Sequence, residues 1–359
     1  MKTLTPLLLT FSAIACARPV ETPDIGAPVG SPGSLALRGG FAPGGERIDL
    51  VLADGRITSL TVDAPADTSL DVSGRTFAPG FIDSHVHLAF WTVGESLPAT
   101  GLVAAVDLAA PEDWIGRDQG ALRVVWAGPM VTAISGYPTQ SWGSGGYGIE
   151  CADAEAAREA VRALHAAGAR VIKVPVTGEN ALDESTLRAA VEEAHGLGLL
   201  TVSHAMGDDE AIRAADAGVD LLAHTPTATL SDDAIAAWAS RGVISTLRAF
   251  GGGERAVDNL KRLHEAGATV LYGTDMGNSR TAAIDGSELA LLASAGLSPA
   301  EILASATSVP AATWGFEGLG GLTVGGAASF LLLDGDPLED ITRAASPAEV
   351  WIDGVRVAP

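Results

Sequence analysis

Cysteine is nearly absent. The 359-residue chain holds two, Cys16 and Cys151. If Cys16 is removed or lipidated, Cys151 has no partner, and no disulfide framework holds the fold. Cationic side chains are also few: 22 Lys and Arg stand against 44 Asp and Glu, a formal charge of −22. That balance argues against a nucleic-acid partner, whose phosphates need Lys and Arg. It equally disfavours peripheral binding to anionic lipid. Beyond the N-terminus no apolar run is long enough to cross a bilayer. Stability then falls to packing and to any bound metal. A hydrophobic content of 47% supplies a sizeable core, and the length suits one large α/β barrel or two ordinary domains.

The first residues read as a processing segment. Lys2 gives a short positive start, Leu4 to Ile14 is largely apolar, and the run ends Ala13-Ile14-Ala15-Cys16. Small residues there suit plain signal cleavage. Followed at once by Cys, they also resemble a bacterial lipoprotein box, with Cys16 lipidated. The lipoprotein reading is preferred, because Cys16 would otherwise be an exposed, unpaired thiol. Residues 1–16 are thus a signal peptide, and the Pro- and Gly-rich residues 17–33 a flexible tether. The expected location is the bacterial cell envelope, lipid-anchored; the alternative is a secreted soluble protein.

A repeat organises the middle of the chain: a helical segment, a Gly stop, then a short apolar run. Copies stop at Gly168, Gly198, Gly218, Gly242 and Gly267. Gly past a helix end is a C-cap signal, and a doubly apolar run suits a strand buried on both faces. Three earlier strands, over 77–88, 101–109 and 122–131, complete eight. The fold expected is α/β: a (β/α)8 TIM barrel over 79–317. The flanks, 34–78 and 318–359, carry short alternating runs with Asp54-Gly55 and Asp353-Gly354 hairpin signals. Both ends are expected to build one small β-sandwich domain.

The pattern places particular side chains at the strand ends, where such barrels keep their active sites. His85 and His87 flank Val86 on the first strand, so both imidazoles face one way. Lys173, His204, His224 and Asp275 end the fourth, fifth, sixth and eighth strands. Four His and an Asp at one rim suffice for one or two divalent ions, zinc foremost. His165, His195 and His264 instead lie near helix C-termini, where the helix dipole favours a cation. Lys173 sits in the apolar run Val171-Ile172-Lys173-Val174. Burial there favours a free amine, able to take up carbon dioxide as a bridging carbamate. A Lys paired to a carboxylate or to substrate is the alternative.

These residues resemble the metal-dependent amidohydrolase superfamily, in the branch of imidazolonepropionase-like proteins and Xaa-Pro and Xaa-Arg dipeptidase-like enzymes. The resemblance spans 34–359. It rests on Pro79-Gly80-Phe81-Ile82-Asp83-Ser84-His85-Val86-His87, on Ile172-Lys173-Val174, and on Val202-Ser203-His204-Ala205. Ala223-His224, Gly273-Thr274-Asp275, Ala304-Ser305-Ala306-Thr307-Ser308-Val309-Pro310 and the Leu333-Asp334-Gly335-Asp336-Pro337 tail complete it. It implies one metal on His85, His87 and Asp275, a second on His204 and His224, and carbamylated Lys173 between them. It also implies a metal-activated hydroxide as nucleophile. Asp275 would take its proton and deliver it to the leaving nitrogen. Ala223-His224-Thr225-Pro226, Asp285-Gly286-Ser287-Glu288 and Ser329 depart from the usual pattern, and the first two lie near the substrate mouth.

After the third strand, Tyr137, Trp142 and Tyr147 stand in a Gly-rich loop, either a pocket wall or an insertion packed on its neighbour. Arg248 is placed either to meet a substrate carboxylate or to form a rim ion pair. The function expected is hydrolysis of an amide, cyclic-amide or dipeptide-like bond in a small molecule. Alternatives are a mononuclear deaminase on the same barrel, a lactone or phosphoester hydrolase, and a ligand-binding surface lipoprotein without catalysis. Oligomeric state is not legible.

Overall fold

The computed structural model describes residues 33–358; Cys16 and nearly all of the expected tether lie outside them. Among the described residues no helix is long and apolar enough to cross a membrane.

Strands from both chain ends share one mixed sheet of eight. Leu35–Phe41, Arg47–Ala53, Arg56–Ser59, Thr68–Asp71 and Thr76–Pro79 come from the first end, and Phe330–Leu333, Glu349–Ile352 and Val355–Ala358 from the second. Thr76–Pro79 joins the two groups by pairing antiparallel with Phe330–Leu333. The Asp-Gly hairpins form as expected: Asp54 and Gly55 have φ of 51° and 74°, Asp353 and Gly354 of 46° and 80°. These are the left-handed conformations that a tight two-residue hairpin demands. The expected sandwich is laddered as this single sheet rather than as two facing ones. Leu37, Leu50, Phe77, Phe330 and Trp351 fill its core, with the Phe330 and Trp351 rings stacked at 5.8 Å.

The remaining chain is a TIM-barrel-like α/β unit of eight parallel strands: β1 (Phe81–Val86), β2 (Leu102–Asp107), β3 (Arg123–Trp126), β4 (Val171–Lys173), β5 (Leu200–Ser203), β6 (Leu221–Leu222), β7 (Gly242–Ile244) and β8 (Thr269–Leu271). They ladder as two arcs, β1–β3 and β4–β8, not as one continuous ring. Isolated hydrogen bonds stitch the seams. The amides of Ser84 and His87 donate to the carbonyls of Tyr272 and Met276 at 3.0 and 2.7 Å, and that of Arg170 to Trp126 at 3.0 Å.

Three details differ from the sequence expectation. The run 77–88 is not one strand. Its first half belongs to the small sheet, and at Gly80 the chain changes partners: the Gly80 amide donates to Ser329, and that of Phe81 to Gly101. A Cβ at Gly80 would stand 2.2 Å from Cγ1 of Val103, so only glycine passes there. The links from β1 to β2 and from β2 to β3 carry short 3-10 turns, Gly94–Thr100 and Glu112–Trp114, where α-helices were expected. The segment after β3 contributes an extra parallel pair, Met130–Ala133 with Gly148–Cys151.

From α1, which leads into β4, helices alternate with strands as expected: α1 (Ala154–Ala167), α2 (Glu184–Gly196), α3 (Asp208–Asp216), α4 (Asp232–Trp238) and α5 (Glu254–Glu265), then α6 (Gly286–Ser294), α7 (Pro299–Ser305) and α8 (Ser308–Trp314) follow β8. Helix α1 shows the logic. The Asp153 carboxylate caps the amides of Glu155 and Ala156 at 3.0 Å. Ala157, Ala160, Val161 and Leu164 bury one stripe, and Gly168, at φ 109°, ends the helix. Burying each larger apolar side chain contributes about 1.5–3 kcal/mol.

Candidate metal centre

The six strand-end residues converge. His85 lies within β1 and His87 just past it; Lys173 ends β4; His204 and His224 follow β5 and β6; Asp275 follows β8 at φ 52°. All six side chains are buried. Nε2 of His85 and Nε2 of His87 are 3.3 Å apart. Asp275 Oδ1 stands 3.1 Å from His87 Nε2 and 3.6 Å from His85 Nε2. Lys173 Nζ is 3.1 Å from His85 Nε2. The His204 and His224 rings lie 4.7 Å apart, and His224 is 4.5 Å from His85.

Backbone and side-chain partners decide which nitrogen of each ring is free. His85 Nδ1 donates to the Ala223 carbonyl at 2.8 Å, and His87 Nδ1 to that of Ala109 at 3.3 Å. Their Nε2 atoms are therefore lone pairs. Those lone pairs face each other and an anionic oxygen, an arrangement that needs a cation among them. His224 Nδ1 lies 3.0 Å from Thr246 Oγ1, which leaves its Nε2 open. His204 Nδ1 is buried and has no partner among the described residues. An orphaned buried nitrogen is costly unless something binds it. His85, His87 and Asp275 form a compact three-ligand group for a divalent ion. The donor set fits such ions.

The electrostatics agree. Burial pushes His85 and His224 far below the ordinary imidazole value, and His204 to about 3, so these rings are neutral ligands. Burial lowers the Lys173 ammonium to about 8, although Asp275 and Asp107 pull the other way. Burial would raise the Asp275 carboxyl. Instead His87, close beside it, and the Lys173 ammonium hold it below the usual carboxylate range.

Three supporting residues carry weight that the sequence reading did not assign. Asp83 accepts the amides of His85 and Thr274 at 3.0 and 3.1 Å, together with the Thr274 hydroxyl. Asp107 accepts those of Leu88 and Ala109 at 2.6 and 3.1 Å, fixing the turn after His87. Burial raises both carboxyls to about 7. Asp83 stood in the Pro79–His87 run, two residues before His85, so alternation along β1 held a signal for it; Thr246 had none.

Tyr137 and Trp142 roof the centre. The Trp142 ring lies 5.2 Å from that of His87, and the Tyr137 ring 4.7 Å from that of His204. Trp142 Nε1 donates to the Tyr137 hydroxyl at 2.8 Å. Tyr147 stands one layer out, against Trp142 and Phe90. Phe250, which the sequence reading passed over, packs 4.9 Å from His224. Arg248 is exposed and makes no ion pair among the described residues, so the rim-pair alternative is not what the structure holds. His195 and His264 lie apart from the centre, facing Asp220 at 2.9 Å and Glu301 at 3.5 Å; His165 sits in the last turn of α1. Cys151 is buried, its thiol pushed up to about 11 by burial and Asp153.

A profile of the amidohydrolase family matches residues 117–357. That match begins after His85 and His87, which the geometry alone brings to the site. An imidazolonepropionase of Streptomyces avermitilis is 29% identical over 352 residues, covering 82% of this chain and 82% of its own length. A Xaa-Pro dipeptidase with methionine bound in its active site superposes with a TM-score of 0.78 at 19% identity, covering 90% of this chain and all of that one. A prolidase complexed with N-methylphosphonate-L-proline does so at 0.74 and 24%, covering 90% and 99%.

Proposed function

Because the chain belongs to the amidohydrolase family, in its imidazolonepropionase- and dipeptidase-like branch, and is a hydrolase of carbon–nitrogen bonds, we propose that it cleaves an amide, cyclic-amide or dipeptide-like bond at a two-metal centre. His85, His87 and Asp275 would hold one ion, and His204 and His224 the other. Lys173 would serve the centre as a carbamate, formed when its free amine attacks carbon dioxide, a nitrogen–carbon bond forms, and the amine proton leaves. Nitrogen and oxygen donors of this kind suit zinc. Bound ions supply an acidified water near neutral pH and a Lewis acid for the carbonyl.

The chain's own groups do the rest. Asp275 is an anion at neutral pH, so it receives the proton of the attacking water and passes it to the leaving nitrogen. Tyr137, Trp142 and Phe250 enclose the centre and present apolar faces to the substrate, which favours a substrate with a bulky apolar group. Arg248, exposed and unpaired among the described residues, receives a substrate carboxylate. The names of the imidazolonepropionase and prolidase relatives support the same bond class.

The reading is carried by the convergence of imidazole lone pairs on Asp275 Oδ1. Metal counting on the purified protein, with trials on dipeptides, N-acyl amino acids, hydantoin-like rings and lactones, tests it. Two ions per chain with amide turnover are expected. One ion with ammonia release indicates the deaminase instead, and metal without turnover a binding protein. Lys173→Met should lose the second ion and more than about 100-fold in kcat, beyond what outer partners of metal ligands contribute.

A further inference from the structure

Glu288 is a fully buried carboxylate that the chemistry above does not use. It stands in the first turn of α6, and that turn is anchored. The Asp285 carboxylate accepts the amides of Ser287 and Glu288 at 2.8 and 3.2 Å, while the Asp285 amide donates to the Tyr272 hydroxyl at 2.8 Å. From there Glu288 reaches the turn after β7. Its Oε1 accepts the Leu247 amide at 3.0 Å and its Oε2 the Arg248 amide at 2.6 Å. One carboxylate thus clamps two successive amides.

The residue just before the clamp is Thr246, at φ 43°. A β-branched side chain rarely adopts that conformation. It persists only where surrounding structure imposes it. The Glu288 clamp supplies the constraint on one side. On the other, the Thr246 amide donates to the Gly273 carbonyl at 3.2 Å. The strained backbone brings Thr246 Oγ1 to 3.0 Å from His224 Nδ1. His224 differs here from its neighbours. His85 and His87 are steered by backbone carbonyls, which no substitution removes. The partner of His224 is a side chain on a turn that Glu288 holds. The same turn carries Phe250, whose ring flanks His224.

We infer that Glu288 and Thr246 are positioning residues for the second metal site: Glu288 locks the turn after β7, and the Thr246 hydroxyl accepts the His224 Nδ1 proton and aims Nε2 at the cation. This rests on the two-metal reading above. Outer partners of this kind tune metal affinity by about 10–100-fold.

The test is a zinc titration of the metal-stripped, full-length protein against a chromophoric chelator. Wild type should fill two sites. Thr246→Val keeps the branched shape without the hydroxyl, and should weaken one site by about 10–100-fold while leaving the other unchanged. Thr246→Ser should restore most of that loss. Glu288→Gln, which offers one acceptor oxygen in place of two, should weaken the same site; Glu288→Asp, too short to span both amides, replaces it if Glu288→Gln does not fold. Thermal melts of the stripped proteins check that the fold persists. Two sites in wild type with Thr246→Val or the Glu288 variant unchanged, or with both sites weakened alike, overturns the inference and spares the two-metal reading. A single site in wild type overturns both.

Discussion

Asp83 is a carboxylate serving two strands at once. It joins β1 to the segment after β8 by accepting the His85 and Thr274 amides and the Thr274 hydroxyl, all fully buried. Burial alone would drive its carboxyl higher than about 7; the hydrogen bonds from Thr274 and the His85 amide restrain it. Removing the acceptor strands two amides where no water reaches, at about 1–3 kcal/mol each. Asp83→Ala is therefore expected to destabilise by roughly 2–6 kcal/mol in urea unfolding. It should also loosen the ion held by His85, His87 and Asp275, since the seam between β1 and the segment carrying Asp275 loses a side-chain tie. Unchanged stability would show that packing and the backbone bonds to Tyr272 and Met276 hold the seam without Asp83.

Among the elements, β1 sets the frame, because the chain enters it directly from the small sheet. The passage at Gly80 is tight: a Cβ there would stand 2.2 Å from Val103, and the adjacent Phe81 is fully buried. Gly80→Ala should cost about 1–3 kcal/mol through overpacking. Coupling to Val103→Ala checks the cause: the double variant should recover part of the loss, and strictly additive losses would assign the cost to backbone freedom instead. The helices from α1 onward were legible because Asp caps, a 3.6-residue apolar stripe and a terminal Gly are all local signals, as in α1 itself. The turns after β1 and β2 were not. Gly94–Thr100 carries Pro98 in its interior and Glu112–Trp114 is a single turn, and neither has a side-chain cap, so tertiary contacts rather than propensity chose 3-10 geometry there. The pair Met130–Ala133 with Gly148–Cys151 was missed for a similar reason, since the loop that separates them is rich in glycine and carries no strand signal.

At the scale of the whole molecule, the described residues hold a TIM-barrel-like unit and one mixed sheet built from both chain ends. The residues before Gly33 bear on where the protein works. We propose that Cys16 is lipidated and tethers the enzyme to the bacterial envelope, on the support of the Ala13-Ile14-Ala15-Cys16 run. Metabolic labelling with palmitate in a bacterial host should mark the wild-type chain and spare Cys16→Ser. Equal labelling of both, or none of either, removes the anchor.

Residue type and short-range spacing determined that His85 and His87 share one face, that glycines end the helices, that Asp-Gly steps turn the hairpins, and that six ligand-type side chains sit at strand ends. Each of those properties lies within a few residues of chain, where backbone geometry is dictated by sterics and period. Only the tertiary structure decided which ring nitrogens are free, that Tyr137 and Trp142 roof the histidines, and that Thr246 and Glu288 steer His224. Those contacts join residues 22 to 138 positions apart. They exist only once strand order and packing have brought distant segments together, and no local pattern encodes the distances on which they depend.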